Sequence, residues 1–252
     1  MIEELTTKEQ VEQLVKEHLD CPCTCFPPMK DNAPILDVYY QARERGKREG
    51  FTPLLIVLDP WGNPVNLFHC QKEFWQKAAS EPVEDGRALL HRFEAELRKE
   101  WGEDLTSKEL EERLCEVLGG DRSEGEEITG FLSLMDRRSG QTPFVVLAEI
   151  PVKHPWDIFA YLPFGGWNEC PGMEEQRAAA KYWFEAYGAE LAVMSADVLE
   201  YILPAPVPQD RAMEAALEQF FFCTDIVEQG VGTVGVLAGS LAQSKYWYFW
   251  WD

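Results

Sequence analysis

The side chains with the clearest chemical potential are thiols. Cys21, Cys23 and Cys25 occupy alternate positions, with His18 just upstream and His69-Cys70 further along the same half. Thiolates and imidazoles together suit zinc or copper(I). The spacing is CxCxC rather than the CxxC of structural zinc sites, and no second well-spaced pair completes it. These three cysteines are therefore weak metal candidates, in a chain for which no metal and no cofactor is expected. The total of seven cysteines is odd, and the opening MIEELTTKEQ lacks a basic and apolar leader. The cysteines read as free thiols rather than a disulfide framework. In the second half, Cys170, Cys223 and Asp225 are the groups a small-molecule enzyme would use, with His154 as the one imidazole available. Neither thiol has the local sequence of a Cys-His enzyme, and HExxH, P-loop and GxSxG signatures are absent.

Gly230, Gly232 and Gly235 spell GxGxxG, and Asp252 lies twenty residues beyond the middle glycine. The preceding CTDIVEQ has too few apolar residues for the buried parallel strand of a dinucleotide site, so a glycine-rich entry into a helix is the plainer reading. The loop Gly165 to Pro171 is more informative. Two glycines permit an irregular backbone before Trp167, and the short polar groups of Asn168 and Asp225 suit the pinning of loops. The loop is expected to lie against Cys223 to Gly230, with the end of the last strand nearby. Trp167, Asn168, Cys170, Asp225, Gln229 and Trp250 form the candidate ligand- or partner-binding set; a purely structural network is the competing reading.

Composition narrows the partners. With 23 basic and 44 acidic residues the net charge is −21, and a polyanion would have to approach against that field. From residue 140 onward five basic residues face fifteen acidic ones. Nucleic-acid binding is not expected, whereas a basic protein partner or a small ligand is compatible. No apolar run has the length of a membrane span, and a cytoplasmic location is expected. Oligomeric state is not legible.

The elements that must position these groups follow from periodicity. Thr6 to His18 reads as an amphipathic helix capped by Thr7, and the proline-rich CPCTCFPPMKDNAP as irregular. A helix from Ile35 to Glu49 ends at Gly50 and is followed by the buried strand FTPLLIVLD, the Asp59-Pro60-Trp61-Gly62-Asn63 turn and a short strand at Leu67 to Cys70. Residues 74 to 127 read as charge-dense solvated helices running into the polar, glycine-rich GGDRSEGEE. Residues 1–127 are thus expected to be a helix-rich α+β region with a flexible linker near 119–127, and residues 135–252 a separate C-terminal domain able to fold alone. That domain offers the strand PFVVLAEI, a turn or helix at Pro155 to Tyr161, a helix Glu174 to Tyr187 ending at Gly188, and two strands reversing at Ser195 to Asp197. Helices follow at Asp210 to Phe222 and Thr233 to Ser244, then the strand YWYFWWD. The class is α+β, with a mixed or antiparallel sheet ending in an aromatic strand and packed by helices. In that last strand Trp247, Phe249 and Trp251 share one face and Tyr246, Tyr248 and Trp250 the other.

From Ile150 to Asp252 three blocks stand in order: Gly165-Gly166-Trp167-Asn168-Glu169-Cys170-Pro171, Phe222-Cys223-Thr224-Asp225-Ile226-Val227 with Gln229-Gly230, and Trp247-Tyr248-Phe249-Trp250-Trp251-Asp252. Over roughly residues 143–252 the chain resembles the bacterial family DUF 4253, a domain of unknown function. The resemblance implies a shared C-terminal domain and carries no activity or catalytic residues with it. Because the distinctive residues are aromatics, prolines and glycines with few convergent titratable groups, a non-catalytic cytoplasmic binding or interaction protein is expected. An enzyme built on Cys170, Cys223 and Asp225 is the alternative.

Overall fold

A computed structural model describes residues 7–58 and 75–252. The turn expected at Asp59 to Asn63, the short strand expected at Leu67 to Cys70, and His69 lie outside the described residues.

The first helix, α1 (Lys8–His18), starts where Thr7 and Gln10 form a reciprocal capping box, and it buries Val11 and Val15. Strand β1 (Cys23–Phe26) follows inside the stretch expected to be irregular. The prolines Pro22, Pro27 and Pro28 flank this strand rather than interrupt it, and β1 lies at a sheet edge, where proline is tolerated. Helix α2 (Ala33–Glu49) ends at Gly50, whose φ of 82° is the left-handed cap that releases the chain into β2 (Thr52–Leu58). Three helices come next: α3 (Trp75–Ser80), α4 (Gly86–Asp104) and α5 (Ser107–Leu118). After them run two 3-10 turns (Arg122–Glu124 and Leu132–Leu134), β3 (Phe144–Ile150), a third 3-10 turn (Pro155–Asp157), and the short α6 (Ile158–Tyr161). Helix α7 (Met173–Tyr187) repeats the earlier arrangement, with Gly188 at φ 71° leading into β4 (Glu190–Met194). The remaining elements are β5 (Val198–Ile202), α8 (Ala212–Phe222), a π-helical turn (Ile226–Val231), α9 (Val234–Leu241) and β6 (Tyr246–Trp250).

The fold is α+β, and its six strands form one mixed sheet in the order β1-β3-β2-β4-β5-β6. All neighbours are antiparallel except β2 and β4, which run parallel with Leu55 opposite Val193. Strand β2 therefore comes from the N-terminal half yet lies between β3 and β4. The sheet is continuous across the division expected at 119–127.

Residues 119–127 pack closely instead of hanging free. The Gly235 amide donates to the Gly119 carbonyl at 2.9 Å, and a Cβ on Gly239 would land 2.0 Å from the Arg122 carbonyl oxygen. A Cβ on Gly125 would fall 2.3 Å from the Ser240 nitrogen. These glycines serve close backbone approach to α9, a use that composition cannot distinguish from flexibility. The GxGxxG motif shares this role: its third glycine supports that contact, and the segment before it is the π-helical turn rather than a strand.

Both sheet faces are covered. On one, Leu54, Ile56, Val146, Tyr201, Trp247 and Phe249 meet α1, α4, α7, α8 and α9; on the other, Leu55, Val145, Leu147 and Val193 meet Ile35 and Tyr39 of α2 and Phe131. The second face also buries Glu200, whose two oxygens accept the amides of Leu132 and Ser133. Burial raises its carboxyl pKa despite these donors.

One buried ion pair ties the helical layer together. Arg177 of α7 contacts Asp157 at 2.7 Å, and its guanidinium also donates to the carbonyls of Ala78, Ala79 and Glu81 at the end of α3. Arg177→Ala strands both a buried carboxylate and the carbonyls of a helix end, and it is expected to cost about 3–5 kcal/mol. Arg177→Lys should recover only part of that loss, because an ammonium lacks the planar fork. Denaturant melts of the two variants check this; an unchanged midpoint for Arg177→Ala would contradict it.

Candidate functional site

The loop Gly165 to Pro171 is built by its backbone. Gly165 and Gly166 have φ of 89° and 85°, and Asn168, at 48°, is the one non-glycine at positive φ among the described residues. A Cβ on Gly165 would fall 1.8 Å from the Pro171 carbonyl oxygen, so only glycine fits there. Two hydrogen bonds close the loop: Gly166 N to Cys170 O at 3.0 Å, and Cys170 N to Trp167 O at 2.9 Å.

The loop does meet the segment after α8. Asn168 Nδ2 donates to the Asp252 carbonyl oxygen at 2.5 Å, and the Asp252 amide donates to Asp225 Oδ2 at 3.1 Å. Gln229 Nε2 occupies the other oxygen of Asp225 at 2.7 Å. Thr224 Oγ1 donates to Glu169 at 3.3 Å. Asn168 and Asp225 thus grip the same peptide segment from two sides, and Gln229 holds Asp225 in place.

The aromatic placement differs from the expected set. Strict alternation holds in β6, so Trp250 points to the face away from α7 and donates from Nε1 to Asp197 at the β4–β5 turn, 3.2 Å away. Trp251 is the ring that reaches the loop. It is buried, lies 5.7 Å from Phe164 and 5.9 Å from Phe222, and Phe164 in turn meets Trp167 edge-on at 4.9 Å. Neighbouring residues on a strand face opposite sides, so choosing the wrong one of the Trp250-Trp251 pair exchanges the faces.

Cys170 and Cys223 are both buried. The Cys223 thiol donates to the Trp250 carbonyl at 3.1 Å, and burial pushes its pKa up to about 12. Desolvation likewise raises Cys170, whose sulfur accepts from Gln176 Nε2 at 3.6 Å. Both are neutral thiols at physiological pH, poor nucleophiles in this state.

Outside this network the surface forms a cleft of about 270 Å³ between the loop, α4 and the end of α8. Phe93, Leu97, Phe221 and Phe222 supply its apolar part; Glu96, Glu100, Glu169 and Glu175 supply four carboxylates, and no lysine or arginine lines it. Among the described residues neither Glu96 nor Glu100 has a salt-bridge partner. Of the expected set, Asn168 and Cys170 reach this cleft, whereas Asp225 and Gln229 belong to the clamp behind it. The contribution of α4 was missed. Its i, i+4 pairs Phe93/Leu97 and Glu96/Glu100 announce an amphipathic helix, but periodicity does not reveal which element a face will meet.

At the other candidate cluster, the Cys21 and Cys23 sulfurs are 3.8 Å apart, and Cys25 is buried beneath α1. Among the described residues no group of three or more His, Cys, Asp and Glu side chains is arranged to hold a metal ion. Cys21, Cys23, Cys25, Cys115, Cys170 and Cys223 are all free thiols. Among the described residues no helix is long and apolar enough to cross a membrane.

Comparison with known proteins matches residues 146–252 to the family model DUF4253, described as a domain of unknown function. No curated protein and no solved structure matches the chain.

Proposed function

We propose that the protein is a non-catalytic binding protein of the cytoplasm whose acidic cleft takes a basic, partly apolar segment of a partner protein. The observation that carries this reading is the lining of the cleft: the carboxylates of Glu96, Glu100 and Glu169 beside four apolar side chains with no cation in the lining, and a fourth, Glu175, paired with Arg92 at its border. Cationic side chains with aliphatic stems complement both halves of such a surface. The net charge of −21 adds long-range attraction for the same partner. Free thiols throughout the described residues are in keeping with a reducing compartment.

An enzyme using Cys170, Cys223 and Asp225 is less well supported. Both thiols are held in the neutral form, and both Asp225 oxygens are occupied by the Gln229 amide and the Asp252 backbone.

A synthetic peptide of alternating lysine and leucine is the direct probe, titrated calorimetrically at low and physiological salt. The triple variant Glu96→Gln, Glu100→Gln, Glu169→Gln is expected to bind about tenfold more weakly, the sum of three exposed charge pairs at roughly 0.5 kcal/mol each. Its melting temperature should be unchanged, because Glu96 and Glu100 are exposed and Glu169 contacts only a surface threonine. Equal affinity of the variant and the parent would overturn the reading, as would binding that does not weaken with salt.

A further inference from the structure

The Cys-Pro-Cys segment lies at the β1 edge, the opposite edge of the sheet from β6 and about 24 Å from it across five strand spacings. It is a second, separate centre. The Cys21 and Cys23 sulfurs face each other at 3.8 Å, both side chains are partly exposed, and both line a surface cavity of about 530 Å³ with Glu12, Lys16 and Asp20. The backbone on either side of Cys21 is tied down. The Asp20 amide donates to the Tyr161 hydroxyl at 2.9 Å, and the Pro22 carbonyl accepts the Glu149 amide at 2.9 Å, extending the β1–β3 ladder. Strand pairing thus presents two thiols in contact, across one proline, at the mouth of a cavity. The third thiol of the cluster, Cys25, also borders this cavity but is itself buried.

We propose that Cys21 and Cys23 form a redox-active dithiol that reduces low-molecular-weight disulfides by thiol–disulfide exchange. Cys21, as thiolate, attacks one sulfur of the disulfide RSSR; the Cys21–SR bond forms, the RS–SR bond breaks, and one RS⁻ leaves. Cys23 then attacks the Cys21 sulfur, the Cys21–Cys23 bond forms, and the second RS⁻ leaves. It takes up the Cys23 proton directly or through water. The protein loses two electrons and the small disulfide gains them.

The division of labour follows from the contact. A hydrogen bond from Cys23 lowers the Cys21 pKa, aided by the Tyr161 hydroxyl and opposed by burial and by the charges of Asp20 and Glu149. The Cys23 thiol also donates to the Cys21 carbonyl at 3.3 Å, which holds its proton in place, and the contact with Cys21 together with burial raises its pKa further, so Cys23 is the resolving thiol. A disulfide closed over a single intervening residue is geometrically constrained and readily reduced again, so the exchange runs forward with the small disulfide in excess and backward with excess small thiol.

The test uses the full chain with oxidised glutathione as the probe, alkylation of remaining thiols and peptide mass spectrometry. The wild type should yield an intramolecular Cys21–Cys23 bond with no glutathione retained on either residue. Cys23→Ser should retain glutathione on Cys21. In Cys21→Ser, Cys23 should react roughly tenfold more slowly than Cys21 does in the wild type. Exposed Cys115 serves as the reference thiol within the same molecule. The proposal is overturned if wild-type Cys21 reacts no faster than Cys115, if it keeps a stable glutathione adduct, or if the bond forms between Cys23 and Cys25. Those wild-type results stand whether or not the serine variants fold, and they are independent of the acidic cleft.

Discussion

A polypeptide of residues 135–252 expressed alone is expected to lack a cooperative unfolding transition, although it contains every residue of the matched family region. Its strand β3 pairs only with β1 and β2, and both are absent from the fragment. Removing β2 also exposes the edge of β4 and takes away Leu54 and Leu55, which are fully buried on opposite faces of the sheet. Two separated strand edges with apolar faces are an aggregation hazard rather than a stable core. Losing α1, α2 and α4 uncovers both faces further. Co-expression with residues 1–134, which keep buried Phe131 and Leu134 and the Leu132 and Ser133 amides that pair with Glu200, should restore a soluble complex, because the sheet can then assemble from two chains. Circular dichroism melts of the fragment and of the complex check this; a fragment that melts sharply near the full-length temperature would contradict it.

Deleting Trp247 to Asp252 is expected to abolish folding of the full chain. Trp247 and Phe249 are fully buried and Trp251 nearly so. Trp183 stacks on Phe249 at 5.2 Å and meets Trp247 edge-on at 5.8 Å, so these rings are the centre of the helical face rather than its border. Three such side chains contribute about 1.5–3 kcal/mol each on burial, a loss comparable to a whole domain stability of roughly 5–15 kcal/mol. The deletion also removes the β5–β6 ladder and the Asp252 backbone gripped by Asn168 and Asp225. The expected product is insoluble or lacks a melting transition. A cooperative melt within a few degrees of the parent would instead mean that the aromatic face is dispensable to the core.

Local signals were legible wherever one residue type has one physical use. The Thr7 cap, the glycines that end α2 and α7, the strand runs PLLIVL and FVVLAEI, and the alternation in YWYFWW all led to elements within a few residues of those observed. The meeting of Gly165–Pro171 with the segment after Cys223 was likewise foreseeable, since Asn168 and Asp225 have short polar side chains suited to tying loops together. What the sequence by itself determined is thus the α+β class, most of the element order and the region of the clamp. Which strands pair is decided by contacts between distant residues, which leave no local pattern. Only the tertiary structure places β2 between β3 and β4, makes the glycines of 119–127 a packing surface, and turns Trp251 rather than Trp250 toward Phe164. Only it brings α4 to the loop to make an acidic cleft, and the two sulfurs of Cys-Pro-Cys into contact. In each case the deciding energy is burial and close approach across the sheet, which depends on the neighbour a surface finds and not on the residues within it.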